Sequence, residues 1–206
     1  MSIQAVIFDI GNVLIEWQPE RFYDSVIGAA RRKKMFAEVD LHGMNERVDL
    51  GENFRDTVMA QADATPQWHD EIVMWHDRWI EMAAPAMDHS VRLLRALRRA
   101  NVPVFALSNF GIQTFAIGER EYPFLEEFDR RYISGHMGIT KPSADIYKQV
   151  EDDCGLPPQS LLFADDRADN IAAADARGWQ THLFETPQKW ADRLVAEGLL
   201  SPENAQ

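Results

Sequence analysis

A chain of 206 residues with 46% hydrophobic and 26% charged side chains has an ordinary globular composition, long enough to bury a real core as one domain with an insertion or as two small domains. Its net charge of −12 argues against a general nucleic-acid or membrane-surface binder, both of which need clustered positive charge, but leaves room for a local anion site. A single cysteine, Cys154, excludes an internal disulfide, no Cys/His spacing suits zinc, and no apolar run approaches the roughly 18 residues of a membrane span, so a soluble cytoplasmic protein is the expectation.

In chain order, the apolar run Ala5-Val6-Ile7-Phe8 predicts a buried first strand over about residues 3 to 9, closed by Asp9 and the turn Ile10-Gly11-Asn12. From about 16 to 88 the chain is rich in Trp, Met, Phe, Arg and Glu at helical spacing with few β-branched runs, which predicts a helical insertion. Within it, Thr65 reads as an N-cap before Pro66 at the first helical position. Trp68, Trp75 and Trp79 fall on one helical face, as a core stripe or a stacking surface for substrate, and Ala84-Pro85 closes the segment.

Beyond residue 89 helices and strands alternate: a helix around Ser90 to Leu97, a strand from Val102 to Leu107, and a partly helical stretch carrying Phe110, Phe115, Tyr122, Phe124 and Phe128. A short strand follows at Arg131 to Ser134, then a helix from Ala144 to Asp153, a strand from Ser160 to Ala164, a helix from Ile171 to Arg177 stopped by Gly178, and a last strand from Gln180 to Phe184. Ser201 to Gln206 reads as a frayed tail. This order predicts an α/β fold, a doubly wound, Rossmann-like parallel sheet formed by residues 1–15 and 89–206 with an inserted α-helical cap over 16–88.

Four segments carry the chemistry. In open α/β sheets the reactive groups gather at the carboxyl ends of strands, and here Asp9, Ser108-Asn109 and Asp165-Asp166 each follow an apolar run, with Lys141 in the turn Gly138-Ile139-Thr140-Lys141-Pro142. A carboxylate that attacks phosphorus forms an acyl phosphate and divides one hard hydrolysis into two displacements. Nucleophile and phosphate are both anionic, so a hard divalent ion such as Mg²⁺, held by one or two carboxylates, answers the repulsion. Asp165 and Asp166 are its natural suppliers, Lys141 offsets further charge, and the Ser108 hydroxyl with the following amides suits a phosphoryl oxygen.

Phe8-Asp9-Ile10-Gly11-Asn12-Val13-Leu14, Leu107-Ser108-Asn109, Lys141-Pro142 and Phe163-Ala164-Asp165-Asp166-Arg167 with Asn170 resemble, in order, the four motifs of the haloacid dehalogenase-like hydrolases. The resemblance spans about residues 3 to 186 and is nearest to the branch with a small helical cap after the first strand, which contains bacterial sugar-phosphate phosphatases. It implies that Asp9 is the nucleophile, that Asp9, the Gly11 carbonyl and Asp165 ligate Mg²⁺, and that Ser108 and Asn109 contact the phosphoryl group of a small phosphorylated metabolite. It implies further that Lys141 bridges that group to Asp9 and that Asp166 and Asn170 support the acidic motif.

One departure matters. Phosphatases of this superfamily usually carry a second aspartate two residues after the nucleophile as general acid, and here that position is Gly11. General acid catalysis is worth roughly 10²–10⁴-fold, so basic leaving groups should suffer unless another group donates; Glu16 and His136 are the candidates. Two other functions share the motifs. A 2-haloacid dehalogenase uses the same aspartate at carbon, needs no metal, and does not account for the Asp165-Asp166 pair. A weakly active phosphate-binding module is supported by Gly11 alone. His42, Arg47, Trp68 and Trp75 are candidate substrate contacts from the insertion, whereas His69 and His76 make a poor metal site.

Overall fold

Every residue of strand β1 (Ala5–Phe8) is buried, and its alternation assigns Val6 and Phe8 to one hydrophobic core and Ala5 and Ile7 to another on the opposite face. A strand buried on both faces belongs to a parallel sheet covered by helices on each side. In the computed structural model, which describes residues 2–206, β1 is the central strand of five. With β4 (Val104–Ser108), β5 (Arg130–Ile133), β6 (Leu161–Asp165) and β7 (Gln180–Leu183) it forms a wholly parallel sheet of order β5-β4-β1-β6-β7. Register pairs Ile7 with Phe105 on one side and with Phe163 on the other.

The two cores lie on the two faces of this sheet. On the first, helix α7 (Asp88–Arg99) supplies Leu93, Leu94 and Leu97, and α12 (Pro187–Ala196) supplies Trp190 and Leu194. Trp190 packs edge-on against Phe8 with ring centres 5.7 Å apart. On the second face, α10 (Ala144–Cys154) supplies Ile146, Tyr147 and Val150, and α11 (Ala168–Asp175) supplies Ala174. The sheet is therefore doubly wound, as its alternating pattern predicts.

Between β1 and α7 lie helices α1 (Pro19–Ile27), α2 (Ala29–Glu38), α3 (Leu41–Asp49), α4 (Phe54–Ala64), α5 (His69–Asp77) and α6 (Trp79–Met82). Local chemistry fixes their starts: Asp40 accepts from the Gly43 amide at 2.9 Å ahead of α3, and Asn53 accepts from the Asp56 amide at 3.0 Å ahead of α4. The helical block enters and leaves through a two-stranded antiparallel ribbon, β2 (Ile15–Trp17) with β3 (Ala83–Ala86), pairing Ile15 with Ala86 and Trp17 with Ala83. The composition did not reveal this ribbon.

Two expectations are corrected and one helix is added. Thr65 makes no capping bond; its hydroxyl donates back to the Gln61 carbonyl at 3.1 Å, and Pro66 opens only a 3₁₀ turn before α5. Helix α12 was not anticipated, although Thr186 caps it through the Lys189 amide at 3.2 Å and Pro187 stands in its first turn. The carboxyl-terminal segment docks instead of fraying: Ala205 is buried, and its carbonyl accepts from the His89 ring at 2.9 Å. Here α8 (Ile112–Glu121) and the one-turn α9 (Ser134–Met137) complete the helices. Among the described residues no helix is long and apolar enough to cross a membrane.

Candidate active site

Three adjacent strands deliver their side chains to one edge of the sheet. Asp9 follows β1, Ser108 ends β4 and Asp165 ends β6, because each apolar run stops at the same level of a parallel sheet and turns polar there. Lys141 arrives from the turn before α10, and its ammonium sits 3.0 Å from Asp9 Oδ1 and 2.6 Å from Asp165 Oδ2 while donating to the Leu107 carbonyl at 2.9 Å. One oxygen from each of Asp9, Asp165 and Asp166 lies within 4.8 Å of the others. The sequence-predicted Asp9, Ser108, Lys141, Asp165 and Asp166 therefore converge.

Burial dominates the electrostatics. It pushes the Asp9 carboxyl up to about 7 against the pull of Lys141; Asp165 and Asp166 add to the rise, and a hydrogen bond from Ser108 opposes it. Asp9 Oδ1 also accepts from the Ile10 amide at 2.7 Å, which fixes the rotamer. Burial would lower the Lys141 ammonium, but Asp9 and Asp165 together hold it above the ordinary lysine value. The Asp166 carboxyl is raised, chiefly by burial, with a hydrogen bond from Asn12 working the other way.

Several asparagines organise this centre. Asn109 commits both ends of its carboxamide to the main chain of Lys141, donating to its carbonyl at 2.9 Å and accepting from its amide at 2.8 Å. The Asn109 side chain thus holds the lysine, while Asn109 itself also lines the cleft. Asn170 donates to both oxygens of Asp165 at 3.0 Å, and its buried Oδ1 has no partner among the described residues. Asn12 was not singled out by sequence. It adopts a left-handed φ of 54°, donates to Asp166 at 3.1 Å and accepts from the Trp17 amide at 3.0 Å, so it joins the nucleophile turn, the ribbon and the acidic pair. Its only signal was its place in a turn where asparagine tolerates positive φ. Gly11 has no such conformational need, and a side chain there would meet nothing within 4 Å.

The donor set suits a hard divalent cation. Three carboxylates and one ammonium leave two negative charges when all are ionised, every available donor is oxygen, and Asn170 Oδ1 is an orphaned buried acceptor beside them. Gly11, whose carbonyl the resemblance assigns to the metal, lines the cleft.

That cleft holds about 490 Å³ between the sheet edge and the helical block. Of the insertion residues expected to meet substrate, His42 and Trp75 line it. Arg47 turns to Glu52 at 3.6 Å, and Trp68 is buried with its ring nitrogen donating to Glu38 at 2.8 Å, so neither reaches the cleft. The tryptophan stripe is thus core for Trp68 and cleft wall for Trp75 and Trp79. His69 and His76 pair with neighbouring aspartates instead of with each other. Among the two acid candidates, Glu16 lines the cleft but is paired with Arg21 at 2.6 Å, and the exposed His136 is outside the lining. Asp49 lines the cleft and was not anticipated, since a lone aspartate at a helix end reads as solvated surface.

Among curated proteins, the chain is 22% identical over 205 residues to the D-ribitol-5-phosphate phosphatase of Bacteroides thetaiotaomicron, covering 94% of this chain and 97% of that protein. It is also 22% identical over 188 residues to the drimenol cyclase DrtB of Aspergillus calidoustus, but there 88% of this chain spans only 34% of the relative. Among solved structures, a HAD family enzyme from Bacteroides thetaiotaomicron in complex with magnesium and inorganic phosphate superposes with a TM-score of 0.70 at 24% identity, covering 89% of this chain and 95% of that one. The model of the haloacid dehalogenase-like hydrolases matches residues 3–178, most of the chain, and the protein belongs to that family.

Proposed function

We propose that the protein is a Mg²⁺-dependent phosphatase that hydrolyses a small phosphorylated metabolite, of the sugar or polyol class, through an aspartyl phosphate on Asp9, with residues 16–88 as the cap over the site. The observation that carries this reading is the placement of Lys141 between Asp9 at 3.0 Å and Asp165 at 2.6 Å, with Asp166 completing a three-carboxylate cluster. An ammonium between two carboxylates leaves an excess of negative charge that a phosphate could not approach unaided. Mg²⁺, held by Asp9, Asp165 and the Gly11 carbonyl with Asp166 in support, supplies that compensation when bound.

Asp9 attacks phosphorus in line with the leaving oxygen, and Lys141 offers its ammonium to the transferring group as the P–O bond breaks. The Ser108 hydroxyl and the amides after β4 hold a phosphoryl oxygen. Asn109 keeps Lys141 in register through its two main-chain bonds. Water then attacks phosphorus and releases Asp9. The polar residues that α3 offers to the cleft, His42, Asn45 and Glu46, support a hydroxyl-rich substrate, and a relative of nearly equal length acts on D-ribitol 5-phosphate.

A screen of phosphorylated sugars and polyols with Mg²⁺ or with chelator tests the reading. Turnover that requires Mg²⁺ and vanishes in Asp9→Asn, with the fold intact by circular dichroism, supports it. Full turnover in Asp9→Asn, or halide release from 2-haloacids in the presence of chelator, overturns it.

A further inference from the structure

The motif position that should hold a general acid is Gly11; of the two candidates to replace it, Glu16 is committed to an ion pair with Arg21 and His136 is outside the cleft lining. The cleft contains one more carboxyl group whose surroundings are built. Asp49 is the last residue of α3, and it lines the same cleft as Asp9. Its Oδ2 accepts from Asn45 at 2.9 Å, and its main-chain carbonyl accepts from Ser134 Oγ at 2.6 Å.

Three glycines let this helix end come down onto the loop behind Ser108. A Cβ at Gly51, whose φ is +105°, would strike the Gly135 carbonyl at 2.7 Å. A Cβ at Gly111 would strike Val48 Cγ1 at 2.5 Å, and one at Gly135 would meet the Phe110 carbonyl at 2.8 Å. Such close approach sets the helix end that carries Asp49 against the loop after β4, Asp49 lines the cleft that Asp9 and Ser108 line, and none of its side-chain hydrogen bonds goes to Asp9, Asp165 or Asp166.

We infer that Asp49 is the catalytic acid that Gly11 cannot supply: its carboxyl protonates the leaving oxygen as Asp9 displaces it, and its carboxylate then accepts a proton from the water that cleaves the aspartyl phosphate. The inference rests on the phosphatase reading above. In the first displacement the Asp9 O–P bond forms, the ester P–O bond breaks, and the Asp49 proton goes to the departing alkoxide. In the second, the water O–P bond forms, the Asp9 O–P bond breaks, and the water proton restores Asp49. Protons and phosphate balance over the cycle with water as the only co-reactant.

The electrostatics agree. Burial pushes the Asp49 carboxyl up to about 7, helped by Glu46 on its own helix and by Asp9 at the end of β1, while the Gly111 amide and Asn45 oppose the rise. The α9 side offers it only the Ser134 hydroxyl, which bonds the main chain. A carboxyl group near neutrality is suited to both donating and accepting.

The test is a series of phosphate monoesters whose leaving groups run from nitrophenol through phenol to a primary alcohol, with Mg²⁺ present. Asp49→Asn is expected to lower kcat/KM for the alkyl ester by about 10²–10⁴-fold and for nitrophenyl phosphate by less than about 10-fold. Gly11→Asp added to Asp49→Asn, with open space for its side chain, is expected to restore the alkyl rate. In the unaltered chain, kcat/KM for the alkyl ester should fall above about pH 7, while kcat/KM for nitrophenyl phosphate should not.

An equal loss on every ester, as expected if Asp49 only binds a substrate hydroxyl, overturns the inference, as do superimposable pH profiles for the two esters. The profiles need no variant, so misfolding of Asp49→Asn leaves the inference testable. Asp9→Asn separates the two levels: full nitrophenyl phosphate turnover in that variant removes the phosphatase itself, whereas its loss beside a uniform effect of Asp49→Asn removes only the acid.

Discussion

Lys141→Met removes one charge and keeps an aliphatic side chain of similar length; in the native chain the ammonium lies over Phe163, 5.4 Å from the ring centre. The native ammonium is buried and touches Asp9, Asp165 and the Leu107 carbonyl. Without it, three clustered carboxylates lose their one close cation, and breaking a buried pair in this way costs roughly 3–5 kcal/mol. For a chain of this size each kcal/mol moves the melting temperature by about 2–4 °C, so the metal-free variant should melt roughly 6–20 °C below the parent. Mg²⁺ then has more charge to neutralise, and its addition should raise the melting temperature of the variant more than that of the parent. Differential scanning calorimetry in chelator and in Mg²⁺ reads both numbers. A drop of less than about 2 °C in chelator, or equal metal-induced shifts in the two proteins, refutes the charge accounting at the centre.

Other perturbations probe separate parts of the site. Asp49 has a folded value of about 7 against an ordinary 3.8, so both states hold the proton below about pH 4, and stability is lost as pH rises towards 7 and the unfolded chain alone deprotonates. In metal-free protein, urea denaturation of Asp49→Asn at pH 4.5 and pH 8 should show a smaller loss of stability than the parent; an unchanged loss contradicts the raised value. Asn12→Gly keeps the left-handed backbone but removes the bonds to Asp166 and Trp17, and calorimetric titration should show Mg²⁺ binding weakened by about 10–100-fold. Deleting residues 201–206 removes the buried Ala205 and the acceptor for His89, and should lower stability by about 1–3 kcal/mol in chemical denaturation. Unchanged stability there restores the reading of a frayed end.

The fold and the reactive centre were legible because both are written in short apolar runs. Ala5 to Phe8, Val104 to Leu107 and Leu161 to Ala164 are buried on both faces, so each reads as a strand without help from its neighbours, and each ends on the polar residue that the sheet presents. What pairing decides was not legible. The ribbon unites Ile15 with Ala86 across a long separation in the chain, and strands so short have no period of their own. Helix α12 did carry a local signal, the Thr186-Pro187 start with Trp190 and Leu194 one turn apart, which was overlooked beside a polar tail. Asp49 had none: its place depends on three glycines that bring separate segments into contact, and the hold of the Asn109 side chain on Lys141 likewise joins residues far apart in the chain.

The ribbon that carries the chain out of the sheet and back again has an evolutionary reading. Because Ile15 and Ala86 are neighbours, everything between Pro19 and Met82 is a closed excursion whose two ends meet, and lengthening or exchanging such an excursion changes the closure entropy only slowly. Selection can therefore exchange this helical block for another at one doorway, with no strand of the parallel sheet disturbed. A proton donor housed in that block would travel with it, so each exchange would reset not only which alcohol is accepted but how basic an alcohol can be released.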